Sequence, residues 1–159
     1  MSFQVVALPE TEFQALYGLR DDELARRGVR AVTALSESAY PCRVSLRDAN
    51  IGARMFLLNY EHQPANSPYR STHAIYVQDG AANAAVAINT VPDVLRTRLL
   101  SIRAFDSDGM IVDADVVGGV RPHRCLSACC RTTGRRTCMC TMRSGGATRR
   151  VWNGWCNVR

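Results

Sequence analysis

The chain has 159 residues, 47% of them hydrophobic and 21% charged, with a formal net charge of +6: enough for one domain with its own core. No run approaches the roughly 18 apolar residues of a membrane span, and Met1-Ser2-Phe3-Gln4-Val5 does not open a basic-then-apolar leader. The expectation is a soluble cytoplasmic protein that does not contact membranes and does not use its cysteines as a disulfide framework. The averages hide two populations. Residues 1–118 hold 11 arginines and all 14 acids, net −3, whereas residues 119–159 hold 9 arginines, no acid, six of the seven cysteines and both tryptophans, net +9. Lysine is absent, which suggests a GC-rich gene.

In chain order, residues 3–8 are apolar enough for a first strand, stopped by Pro9. Phe13, Leu16 and Tyr17 have helical spacing and Gly18 follows, predicting a helix over 10–17. Residues 21–28 predict a second short helix, with acids in the first turn, arginines in the last and Gly28 as terminator. Residues 29–35 predict a strand. After Pro41, the apolar Cys42, Val44 and Leu46 alternate with Arg43 and Ser45, the pattern of a half-buried strand. Buried strands are expected over 55–60 and 73–78, joined by a loop with two prolines, Pro64 and Pro68. Residues 92–98 read as a short helix with proline in its first turn.

Residues 99–117 predict a hairpin. A two-residue loop at Asp108-Gly109 would set Asp113 and Asp115 on the face of Leu100 and Ile102. A three-residue loop, Ser107-Asp108-Gly109, pairs Arg103 with Asp113 and Ser101 with Asp115, leaving an apolar face of Leu100, Ile102, Ala104, Met110, Val112, Ala114 and Val116. The second arrangement is expected because it buries no carboxylate, with Gly109 in the left-handed position. The fold class is α+β: a single domain with a largely antiparallel sheet and short helices. Its core should include Val5, Phe13, Leu16, Val44, Leu46, Phe56, Leu58, Ile75, Val77, Ile102 and Val112.

Residues 119–159 admit three readings. One is a basic irregular extension. Another is a zinc or nucleic-acid module using Cys125, Cys129, Cys130, Cys138, Cys140 and Cys156 with nine arginines, although no paired C-x-x-C and no hydrophobic period support it. The third starts from residues 40–46, 57–64, 67–70, 73–77 and 110–117. These motifs resemble the bacterial "domain of unknown function 1203" family, and the resemblance runs over residues 1–118 and stops after Val117. Members continue with a helix, a segment like H-V-H-N-A, and then G-C-Y. Moving the reading frame one base upstream lets residues 137–143 read Y-M-H-V-H-N-A, with the valine and last alanine forced. Residues 144–154 then permit K-R-G-C-Y-A-A-R-V-E-R, with the glutamate forced by Trp152 and Asn153. The expected organisation is therefore an incomplete family domain over 1–118 and an irregular, frameshifted tail over 119–159. The family's C-terminal elements would be missing or replaced. Such a chain should expose an unpaired sheet edge and self-associate or aggregate through it, whereas the restored frame should give a soluble monomer or dimer.

Two sets of residues carry candidate chemistry. Tyr69, Arg70 and Arg103 could hold a small anionic ligand, since guanidinium matches carboxylate or phosphate with a two-pronged fork. This suggests a small-ligand-binding or regulatory module. The alternative is a metal-dependent enzyme in which His62, His73 and Glu61 gather a divalent metal, joined by the two out-of-frame histidines. Ordinary structural roles compete with both. Cys42 reads as a small buried hydrophobe. Asp106, Asp108, Asp113 and Asp115 fit turn and cross-strand roles better than a calcium loop. The family resemblance implies no particular reaction.

Overall fold

A computed structural model describes residues 3–120 in full and the backbones of residues 137–143 and 151–155. The chain is a small α+β domain with two antiparallel sheets. Strands β1 (Arg30–Thr33), β2 (Arg54–Gln63) and β3 (Ser71–Gln78) form one sheet in the order β1-β2-β3. Strands β4 (Leu99–Phe105), β5 (Ile111–Gly118), β6 (Thr137–Arg143) and β7 (Val151–Trp155) form the other in the order β5-β4-β6-β7. The short helices are α1 (Asp21–Arg26) and α2 (Asp93–Arg96). No helix among the described residues is long and apolar enough to cross a membrane.

Local chemistry explains α1. The Glu23 carboxylate accepts the Arg20 N–H at 3.0 Å, three acids occupy the first turn, and Gly28 follows at φ +71°. The predicted helix over 10–17 is instead two short 3-10 segments, Glu10–Glu12 and Gln14–Leu16. Residues 3–8 form no strand. Their backbone is tied at separate points: Leu8 N–H donates to Arg43 O, and Phe3 O accepts from Asn89 N–H.

The strand expected at residues 42–46 is also absent. Cys42 makes a single parallel bridge to Tyr76, and the chain then turns, with Leu46 N–H donating to Cys42 O and Leu46 at φ +50°. Cys42, Val44 and Leu46 are buried, but so is Arg43, whose Nη1 donates to Pro41 O. A turn packed on several sides thus imitates alternation. Val44 belongs with Phe13, Ile75 and Val77, whereas Leu46 belongs with Val5, Leu95, Leu100 and Ile102. Cys42 has the structural role expected: it is a buried free thiol whose Sγ accepts the Gln78 N–H at 3.3 Å.

The β4–β5 hairpin is half as predicted. Its three-residue loop is present, with Asp106 N–H donating to Met110 O and Gly109 at φ +76°. Phe105 pairs with Ile111, but Ala104 pairs with Asp113, so the ladder slips by one at Val112. Arg103 therefore faces Ala114 and Ser101 faces Val116, not the two aspartates. The bulge overturns the expectation drawn from buried carboxylates. Asp113 and Asp115 share the face of Ala104 and Ile102, yet β5 is an edge strand and both remain exposed. Val112, expected in the core, is 43% exposed, and Leu16 and Leu58 are half-buried.

Within 119–159 the described backbone includes ladders at 137–143 and 151–155, where β6 and β7 pair. Ladder bonds use backbone N–H and C=O groups, so a segment without hydrophobic period can still pair. Strand β4 is consequently flanked on both sides, and β5 and β7 are the outer strands of this sheet. Residues 121–136, 144–150 and 156–159, which hold four of the six tail cysteines, lie outside the described residues.

The hairpin turn carries a clear test. A Cβ on Gly109 would lie 2.4 Å from Ala65 Cβ, and the positive φ adds backbone strain. Gly109→Ala is expected to cost about 1–3 kcal/mol, read from the urea midpoint. Adding Ala65→Gly should recover the part due to the clash. If the two losses simply add, the contact is not the cause.

Candidate functional site

The long β2–β3 pair ends in a loop over residues 64–70, with one histidine near each end. Register is regular from Met55↔Gln78 to Glu61↔Thr72 and then jumps to Gln63↔Ser71, so His62 occupies a bulge. Bulges re-aim side chains, and here the His62 ring lies against that of His73, centroids 4.3 Å apart and planes 36° apart. His62 is 3% exposed, and its Nε2 lies 3.1 Å from Ser71 Oγ.

Arg103 approaches this pair from the other sheet. Burial lowers the His62 pKa from 6.5 to about 4, reinforced by the His73 and Arg103 charges. Burial and Arg103 also lower that of His73. Lowered in this way, both rings favour the neutral form at pH 7; His62 is engaged within the fold, by Ser71 among others, and the half-buried His73 lies beside it near the guanidinium. The loop and the Arg103 hairpin are latched, since Ser67 Oγ–H donates to Gly109 O at 2.9 Å.

The structure regroups the two predicted sets. His62, His73 and Arg103 come together. Glu61 and Arg70 pair with each other in an exposed ion pair, which lowers the carboxyl pKa and raises that of the guanidinium. Glu61 adjoins His62 in sequence but is engaged elsewhere. Tyr69 is 41% exposed, and its N–H donates to Ser67 Oγ. Among the described residues, no group of three or more His, Cys, Asp or Glu is arranged to hold a metal ion.

Two features carried no signal in the sequence. One is Ser71, which becomes a partner of His62 only through the bulge. The other is a buried fork in which Arg98 Nη2 and Nη1 donate to Asp48 Oδ1 and Oδ2 at 2.6 and 3.1 Å, with Nη2 also donating to Ser38 O at 2.6 Å. A broad groove of about 1100 Å³ runs past Asp48, residues 80–87 and α2. None of His62, His73 or Arg103 lines it.

A family model described as "protein of unknown function (DUF1203)" matches residues 39–141. The match starts later than the motif resemblance expected over 1–118 and ends beyond it. No curated protein and no solved structure matches the chain.

Proposed function

Since the chain belongs to the DUF1203 family, whose name assigns no chemistry, we propose from the site itself that the domain is a small-ligand-binding module for a carboxylate or phosphate. The observation that carries this is the tilted pair of adjacent, neutral imidazoles close enough to feel the Arg103 charge. Guanidinium supplies charge and a planar fork, and the half-buried His73 imidazole supplies a directed polar group with no competing positive charge. Tyr69 and Arg70, at the end of the loop, would be secondary contacts; Arg70 would have to leave Glu61 to take part. The reading includes a cytoplasmic setting, supported by the free thiol of Cys42. Inorganic phosphate and citrate, each against sodium chloride at matched ionic strength, are the probes. At least one should raise the melting temperature in the millimolar range, and Arg103→Gln should abolish the rise. Equal effects of both probes and chloride would remove the reading.

The reading extends to the tail: the segment after about residue 118 is the family's ending translated one base out of frame. Support comes from the charge break at 118 and from the genetic-code relation of residues 137–154 to the expected motifs. A one-base shift changes residue identity but preserves spacing, so strands at 137–143 and 151–155 are compatible with it. Resequencing codons 117–125 tests this directly. The metal-dependent alternative is weaker in the chain as it stands, because Glu61 is paired with Arg70.

A further inference from the structure

Residues 83–87 line the broad groove without belonging to a helix or a sheet. Half-buried Ala84 and Val86 alternate with exposed Ala85 and Ala87, the two-residue period of an extended chain. The inward pair packs on the cluster that holds Val5, Leu95, Leu100 and Ile102. One edge of this stretch is held by the fold: Ala84 N–H donates to Val44 O, and the Gln4 side-chain amide donates to Val86 O. In an extended chain the backbone groups of the intervening residues point to the opposite edge. There, the Glu10 carboxylate takes Asn83 N–H at 2.9 Å, and Ala87 O accepts Thr90 N–H. The Asn83 carbonyl, both backbone groups of Ala85 and the Ala87 N–H have no hydrogen-bond partner among the described residues. They recur along the chain as the bonding groups of an open sheet edge do.

The groove supplies room and charge. Its volume of about 1100 Å³ matches the larger ligand clefts, which span about 300–1,000 Å³. Its charged lining is Arg47, Asp48 and Asp93. Asp48 is neutralised by the Arg98 fork, and Asp93 Oδ1 lies 3.9 Å from Arg96 Nε. Arg47 is exposed and makes no ion pair among the described residues. The uncompensated charge on the groove wall is therefore positive.

We propose that this groove binds an extended acidic peptide segment of a partner protein, which adds as a strand along residues 83–87 and sets a carboxylate on Arg47. Main-chain bonds to Asn83, Ala85 and Ala87 supply affinity that depends little on the partner's sequence. The alanine side chains let a second backbone approach closely. Arg47 selects the charge of the partner, because guanidinium and carboxylate make charge-assisted bonds. The site stands apart from the proposed small-anion site, since none of His62, His73 and Arg103 lines the groove. A small free carboxylate could reach Arg47 but would leave the backbone edge unused.

The test uses the full chain and the fluorescein-labelled hexapeptide Val-Glu-Val-Glu-Val-Glu, read by fluorescence anisotropy. The expected result is saturable binding in the micromolar range, weakened about tenfold by Arg47→Gln. Ala85→Pro removes the N–H at the centre of the open edge and should weaken binding by a similar factor, with a thermal melt showing that the variant folds. If the proline variant does not fold, Arg47→Gln alone decides. The peptide Val-Lys-Val-Lys-Val-Lys should not bind. Absence of saturable binding, equal binding of the two peptides, or binding unchanged in either folded variant overturns the proposal. Displacement of the peptide by an equal concentration of free glutamate would reveal a small-acid site and overturn it as well. A concentration-dependent dimer that Arg47→Gln dissolves would assign the groove to a second copy of the chain, with the same consequence.

Discussion

Asp48→Asn is expected to destabilise the domain by about 3–5 kcal/mol, more than the turn substitution at Gly109. The Arg98 side chain is 4% exposed, so removing the Asp48 charge strands a guanidinium with almost no access to water. The cost is large because Arg98 ties distant segments together. Its Nη1 donates to Val94 O and its Nη2 to Ser38 O, while its own carbonyl accepts Gly119 N–H at 2.8 Å. A domain of this size commonly has only about 5–15 kcal/mol in total, so the variant should lose much of its stability. Urea unfolding at pH 7 measures this as a lower midpoint at unchanged slope. Arg98→Lys should fail to restore stability, because an ammonium cannot span both carboxylate oxygens and Ser38 O in one plane. A loss under about 1 kcal/mol for Asp48→Asn would show that the pair is dispensable.

Stability should also fall as the pH drops from about 6.5 to about 4. Burial, with the charges of His73 and Arg103, holds the His62 pKa at about 4 in the folded chain, against 6.5 for the free side chain. Between those values the unfolded chain binds a proton that the folded chain refuses, so stability rises with pH across the window and is flat above it. The full shift corresponds to at most about 3 kcal/mol, and His73 contributes in the same direction. The stretch from pH 6.5 to 5 separates this effect from ordinary carboxylate titration. His62→Phe should flatten the profile there without opening a large cavity. An NMR titration in which His62 protonates near pH 6.5 would contradict the account.

Elements whose cause is local were readable in the sequence. The acids and glycine of α1, the Ser107-Asp108-Gly109 loop and the apolar β2 and β3 strands are of this kind. What escaped depends on partners far along the chain. The Val112 bulge could not be inferred from face sorting, because β5 is an edge strand where either face tolerates a carboxylate. Residues 42–46 alternate in hydropathy, yet they form a turn between two parts of the core, with Arg43 inside it. For the site, the closeness of His62 and His73 follows from their places at facing strand ends. The exchange of partners, Arg103 toward the histidines and Arg70 toward Glu61, required the second sheet.

The latch between Ser67 and Gly109 has an evolutionary consequence. The Ser67 hydroxyl and the Ala65 methyl fit against a turn more than forty positions away, at a residue with no side chain. A lengthened 64–70 loop would lift from that turn, and a lengthened turn would push the loop outward. Insertions and deletions in the two segments should therefore be inherited in pairs. Lineages that changed one alone would have separated the histidines from the arginine, so paired gap lengths among relatives would record where that arrangement was kept.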